Sequence, residues 1–219
     1  MAVKRGIQVI DMIMDQVHEK SIDPTTFVYL DARQITQKAL DEYGYDGEFE
    51  RQRVSLSTTG SFNFQIDETL YLFILFNLLK NALYYLSAYP EARIELKLET
   101  GANSNRVYVR DTGPGIASEQ LPHLFDSFHT QGKKSGTGLG LAYCQRVMQA
   151  FGGTISCDSI LGEFTEFTLS FPQVTGQQLT DYRASVITEA LPYFQGKRIL
   201  VVDDDQLYRE QVKQHLAPM

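Results

Sequence analysis

The sequence predicts an α/β fold, a two-layer sandwich in which helices cover one face of a mixed, mainly antiparallel sheet. Three observations predict it. Two pairs of alternating apolar–polar runs, ARIELKLET with NRVYVRD and GGTISCDS with EFTEFTLSF, each read as an antiparallel hairpin. Stretches with helical periodicity stand before and between these hairpins. One of them, ETLYLFILFNLLKNALYYLSA over residues 68–88, is apolar on nearly every side and belongs in a core.

Taken in order, residues 6–17 place Ile7, Ile10, Met14 and Val17 on one helical face, and Asp23-Pro24 ends that helix. Asp31 caps a second helix to about Tyr43, with Ile35, Ala39 and Leu40 turned inward. RVSLST and SFNFQI are short strands, and Asp67 caps the helix 68–88. After the first hairpin come a glycine-rich region, 111–140, and a helix, 139–150. The second hairpin closes at Pro172. This gives a domain over 24–172, preceded by the tail of a helix over 1–22 and followed by a polar, then helical linker over 173–196. The last stretch, KRILVVDDDQLYREQVKQHLA, is a short apolar strand, an acidic cluster and an amphipathic helix. That is the opening βα unit of a parallel-sheet domain over 197–219.

Composition narrows the function. The 219 residues hold one good domain plus smaller pieces, and 43% hydrophobic with 21% charged residues is ordinary for a soluble globular chain. A net charge of −7 argues against nucleic acid or an anionic membrane as the main partner. Two cysteines, Cys144 and Cys157, make neither a disulfide framework nor a metal quartet and read as buried reduced thiols. No run of about 18 apolar residues occurs in these 219, and the first 20, which mix charges into their apolar residues, are not expected to act as a signal peptide.

Against this background some polar and glycine residues stand out. Asn77 and Asn81 lie four apart, on one face of the apolar helix. Either both amides bond backbone in the core, or they line a polar ligand. Amide oxygens suit a hard cation such as Mg²⁺ that keeps phosphate oxygens and waters. RDTGPGI puts Asp111 at a strand end, with Gly113 and Gly115 in the turn after it. A carboxylate there can accept from an exocyclic amine, as on adenine. SGTGLGLAYCQ places Gly136, Gly138 and Gly140 at a helix start, where free N–H groups favour phosphate. It is neither a P-loop nor the dinucleotide fingerprint. The segment between, IASEQLPHLFDSFHTQGKKS, reads as a lid whose Lys133 and Lys134 are either phosphate contacts or a solvated basic pair.

The order of these pieces resembles the catalytic, ATP-binding domain of sensor histidine kinases, within the GHKL class that also holds gyrase B and the ninety-kilodalton heat-shock protein. LFNLLKNA looks like the N box, DTGPGI the G1 box, LFDSF the F box and GTGLGLA the G2 box, over about residues 60–172. The resemblance implies the Bergerat-type ATP-binding fold, with ATP and Mg²⁺ as cofactors. It implies Asn81 on Mg²⁺, Asn77 near the phosphates or metal, and Lys80 as a possible phosphate contact. It further implies Asp111 on the adenine amine, Gly113 and Gly115 making room for the base, and Tyr85 over it. Gly136, Thr137, Gly138, Leu139 and Gly140 would wrap the phosphates, and Thr165 would stand at the adenine edge. RILVVDDDQLYREQV is similar to the start of a receiver domain, with Asp203 and Asp204 as its acidic pair. A hybrid sensor kinase is thereby implied.

The chain departs from the family twice. Tyr84 stands where a phosphate-contacting lysine is usual, so Lys80, Lys133 or Lys134 must supply charge. Phe164 replaces a glycine before the late threonine and is expected to reshape the adenine end.

Asn77 occupies the position of the general-base glutamate of gyrase-like ATPases. An amide takes no proton at neutral pH, so ATP is expected to be held for a histidine brought from elsewhere. Of His18, His123, His129 and His215, only His18 lies on the first helix, and HEKSIDP lacks most of the acceptor pattern. The acceptor is therefore expected on an upstream helical hairpin. The expected partners are that hairpin, the receiver domain and a downstream phosphotransfer protein or response regulator. The full-length form is expected to be a dimer anchored in the bacterial inner membrane with this part cytoplasmic, while a monomeric state of this chain stays open. Two alternatives remain: an ATPase driving conformational change, and a docking module that has lost catalysis.

Overall fold

The computed structural model describes residues 22–58, 60–85, 88–128, 138–194 and 196–197. The helix read over 6–17, the loop residues Lys133, Lys134, Gly136 and Thr137, and the acidic pair Asp203 and Asp204 lie outside them, as do His18, His129 and His215.

The chain divides into two units, residues 1–174 and 175–219. In the first, strand β1 (Val28–Asp31) leads into helix α1 (Ala32–Glu42), a short helix α2 (Glu48–Arg51), strands β2 (Val54–Thr58) and β3 (Asn63–Ile66), and helix α3 (Glu68–Leu83). Strands β4 (Ile94–Glu99) and β5 (Ser104–Asp111), helix α4 (Gly140–Ala150), and strands β6 (Thr154–Ile160) and β7 (Phe164–Pro172) complete it. The main sheet runs β2-β4-β5-β7-β6. Only β2 with β4 is parallel; the other neighbours are antiparallel, so both predicted hairpins form. β1 and β3 pair separately as an antiparallel ribbon. Neither β1 nor the parallel pairing of β2 was foreseen, because β2 finds its partner some 40 residues away across α3.

Both predicted caps are made. Asp31 Oδ1 accepts from the Gln34 amide (2.9 Å) and Asp67 Oδ1 from the Leu70 amide (3.0 Å), each satisfying a donor the helix start would leave orphaned. Helix α3 ends five residues sooner than predicted. Past Leu83, the Tyr85 amide bonds only three residues back to Ala82, and the Ala88 and Tyr89 amides both take the Tyr85 carbonyl, so the ladder closes as a turn.

Alternation decides what each strand buries. Ile94, Leu96 and Leu98 of β4, Val107 and Val109 of β5, and Phe167, Leu169 and Phe171 of β7 are buried on the inner face. Against them lie Ile74, Leu75, Leu78 and Leu79 of α3 with Cys144, Val147 and Met148 of α4, in one apolar core. The opposite face is polar, laced by Lys97–Glu99 (2.9 Å) and Arg110–Glu166 (3.3 Å) pairs. Helices thus cover a single face, as predicted. Helix α3 sits between its helical neighbours: Tyr71 meets Thr36 of α1 through their hydroxyls (2.7 Å), and Phe73 meets Tyr143 of α4 edge to face.

In the second unit, helix α5 (Gly176–Phe194) opens with a reciprocal cap. Thr175 Oγ1 accepts from the Gln178 amide and Gln178 Oε1 from the Thr175 amide. No helix among the described residues is long and apolar enough to cross a membrane.

The Thr36–Tyr71 pair is fully buried, so removing one partner strands the other. Tyr71→Phe is expected to cost roughly 1–3 kcal/mol in urea unfolding, and Thr36→Val in the same chain to recover part of it.

Candidate nucleotide site

The inner face of the sheet changes character at one end. Across four strands, the register aligns Ile94, Asp111, Thr165 and Ser159, the last three of them polar. The next row, Leu96, Val109, Phe167 and Cys157, is apolar again. A polar row at the rim of an apolar face is where a ligand with one polar edge can lie.

Asp111 is the last residue of β5. Its Oδ1 accepts from the Gly113 amide (3.0 Å), which turns the chain into the DTGPGI loop and holds the carboxylate in place. Burial raises the Asp111 carboxyl above its usual range, partly countered by that amide and by Arg110. Tyr85, half-buried just after α3, has its phenol raised by burial, with the Tyr84 and Asp111 charges adding to it. Tyr84 is about half exposed (49%) and meets Tyr85 edge to face at 4.9 Å.

The DTGPGI loop is fixed to the β6–β7 turn. Gly115 lies at φ +66°, and a Cβ there would overlap the Ile160 carbonyl, so only glycine fits. The Gly162 amide donates to the Pro114 carbonyl (2.7 Å), and the Ile116 amide to Ser159 Oγ (2.8 Å). Thr165 is buried in β7. Phe164, expected to alter the adenine end, points to the opposite face of the sheet. There its ring lies under the Arg110 guanidinium, 3.7 Å from carbon to centroid. Alternation along β7 accounts for this: with Thr165 inward, Phe164 must face outward.

On α3, Asn77 and Asn81 are both half-buried and Lys80 is exposed. Asn77 Nδ2 donates to the Phe73 carbonyl one turn back (3.0 Å), so one amide does bond backbone, within its own helix. A Cβ on Gly140 would overlap Asn77 Oδ1. The absence of a side chain at Gly140 is what lets the start of α4 close on α3. Leu139, at the N-cap of α4, supplies no side-chain cap. The Gly138 carbonyl accepts from the Phe128 amide (3.1 Å), tying the LFDSF segment to the glycine-rich turn. Both cysteines are free thiols; Cys144 is buried and Cys157 half-buried, and burial pushes the Cys157 thiol up to about 12. Among the described residues no group of three His, Cys, Asp or Glu is placed to hold a metal.

Residues 66–175 match the histidine kinase-, DNA gyrase B- and HSP90-like ATPase family. The chain belongs to that family. It is a histidine kinase catalytic ATP-binding domain, homologous to sensor kinases. It is 37% identical over 98% of its length to the autoinducer 1 sensor kinase/phosphatase LuxN of Vibrio campbellii, and 35% identical over 92% to the CAI-1 autoinducer sensor kinase/phosphatase CqsS of Vibrio cholerae. It spans 27% and 29% of those relatives' own lengths. The fold matches the catalytic domain of histidine kinase ThkA (TM-score 0.57, 22% identity, 67% of this chain and 95% of that one). It also matches full-length ShkA in complex with AMPPNP (TM-score 0.62, 20% identity, 79% of this chain and 37% of that one).

Helix propensity alone would make Gly140→Ala stabilising by up to about 1 kcal/mol. The overlap with Asn77 is expected to reverse the sign, to a loss of roughly 1–3 kcal/mol. A double-mutant cycle with Asn77→Ala, read by denaturant unfolding, should return most of it.

Proposed function

We propose that this domain holds Mg²⁺-ATP and passes the γ-phosphoryl group to a histidine on a helical hairpin of the full-length protein. The P–O bond to the β-phosphate breaks, a P–N bond to the imidazole forms, and ADP leaves. The observation that carries this reading is Asn77. An ATPase of the class would need a base at that point. Here it is an amide whose nitrogen is committed to the Phe73 carbonyl and whose oxygen meets Gly140. With no base to activate water, transfer depends on positioning.

The site residues take these roles in the proposal. Asp111 accepts from the adenine amine, Tyr85 covers the base and Thr165 stands at its edge. Gly113 and Gly115 keep the loop close. Gly136, Thr137, Gly138, Leu139 and Gly140 present amides to the phosphates, with Lys80 and Lys133 supplying charge. Asn81 offers one hard oxygen, which fits Mg²⁺ held mainly by phosphate oxygens and water rather than by a carboxylate cage. When bound, the ion neutralises phosphate charge.

In the full-length protein, the phosphoryl group would pass from the hairpin to a receiver domain that begins near Lys197 with Asp203 and Asp204, and on to a downstream phosphotransfer protein or response regulator. The likeness to LuxN along 98% of the chain supports a hybrid arrangement. We further propose a dimer, anchored in the inner membrane with this part cytoplasmic.

The test uses γ-labelled ATP with Mg²⁺, the chain alone and then with a separately made hairpin. Label on the hairpin histidine and little free phosphate from the chain alone are expected; steady phosphate release with no labelled protein would overturn the reading of Asn77. For the base, Asp111→Asn is expected to weaken ATP about tenfold or more and GTP much less, by calorimetric titration. Equal loss for both nucleotides would remove Asp111 from adenine recognition.

A further inference from the structure

Ser159 carries no motif, yet its hydroxyl is where three parts of the base end of the site meet. It accepts from the Ile116 amide of the DTGPGI loop (2.8 Å), donates to the Phe164 carbonyl (2.5 Å) and lies 3.5 Å from Thr165 Oγ1. Two further contacts run between the same segments, Gly162 N–H to the Pro114 carbonyl and the close approach of Gly115 to Ile160. Across the strands, Asp111 is opposite Thr165 and Thr165 opposite Ser159. A hydroxyl has one proton and two acceptor lone pairs. The one proton of Ser159 lies between the Phe164 carbonyl and Thr165 Oγ1, so Thr165 accepts on that side and keeps its own hydroxyl proton for the side toward Asp111.

We propose that Ser159 is a positioning residue for purine selection. It sets the direction of the Thr165 hydroxyl and the height of the 114–116 backbone against Asp111, so the purine edge meets a fixed pattern of hydrogen-bonding groups, the Asp111 acceptor beside the Thr165 hydroxyl. This rests on the reading of Asp111 as the adenine contact. The effect belongs to the base end and leaves the phosphate end alone, which separates it from a general loss of stability.

The experiment measures ATP, ADP and GTP binding by titration calorimetry on the whole chain, unaltered and as Ser159→Ala, Ser159→Thr and Ser159→Cys, with thermal unfolding alongside. Ser159→Ala is expected to weaken ATP and ADP together by about tenfold, to shrink the ATP-to-GTP preference and to leave the ATP-to-ADP ratio unchanged. Ser159→Thr, which keeps the oxygen, should recover most of the preference. Ser159→Cys, close in shape but a poor hydrogen-bonder, should lose part of it even if the alanine variant fails to fold. A lowered melting temperature with an unchanged ATP-to-GTP ratio would overturn the proposal, as would a changed ATP-to-ADP ratio. If Asp111→Asn shows equal loss for ATP and GTP while Ser159→Ala still shifts their ratio, Asp111 falls as the adenine contact and Ser159 stands without it. An unaltered chain that binds no ATP would overturn both.

Discussion

Burial of α3 against the inner face of the sheet is the contact on which the rest of this domain depends. Most of the helix is apolar, so it packs against α1, α4 and the inner face of the sheet and leaves only a margin with Thr69 and Lys80 exposed. That burial fixes where its polar residues can go. Asn77 and Asn81 sit half-buried on one face of α3, at the margin of the core. The site is thus the place where the sandwich stops closing, rather than a feature added to it.

Much of this was legible in the sequence because the signals are local. A cap such as Asp31 or Asp67 acts within three residues, and a hairpin such as β6–β7 needs only alternation and a turn. What was not legible depends on distance along the chain. The parallel partner of β2 lies beyond a whole helix, and nothing in VSLST names it. The end of α3 was misread because the apolar run continues through Tyr84 and Tyr85, although the backbone bonds there already form a turn. Phe164 shows a reading that could have been made: once Thr165 is inward, its neighbour must be outward, and the departure from glycine falls on the far face. Alternation with Ile155 and Cys157 turns Ser159 inward, but nothing in TISCDS marks its hydroxyl as a junction between two loops.

The glycines divide into those required by backbone and those required by neighbours. Gly115 meets both conditions, a left-handed φ and a carbonyl pressed against it. Gly140 is required by a neighbour, the Asn77 amide of α3, against which the start of α4 lies. A glycine read from the sequence as part of a phosphate wrapper is thus a packing device, and substitution there should register in folding.

Asp111 has a consequence of another kind. Burial lifts its carboxyl, so the folded domain without nucleotide holds a proton there more readily than the unfolded chain does. Its contribution to stability is therefore greatest at low pH and is lost as pH rises through the raised value. In the proposed site, an adenine amine donating to this carboxylate would favour the opposite, charged form, so nucleotide and proton would compete for it and occupancy would follow the acidity around it.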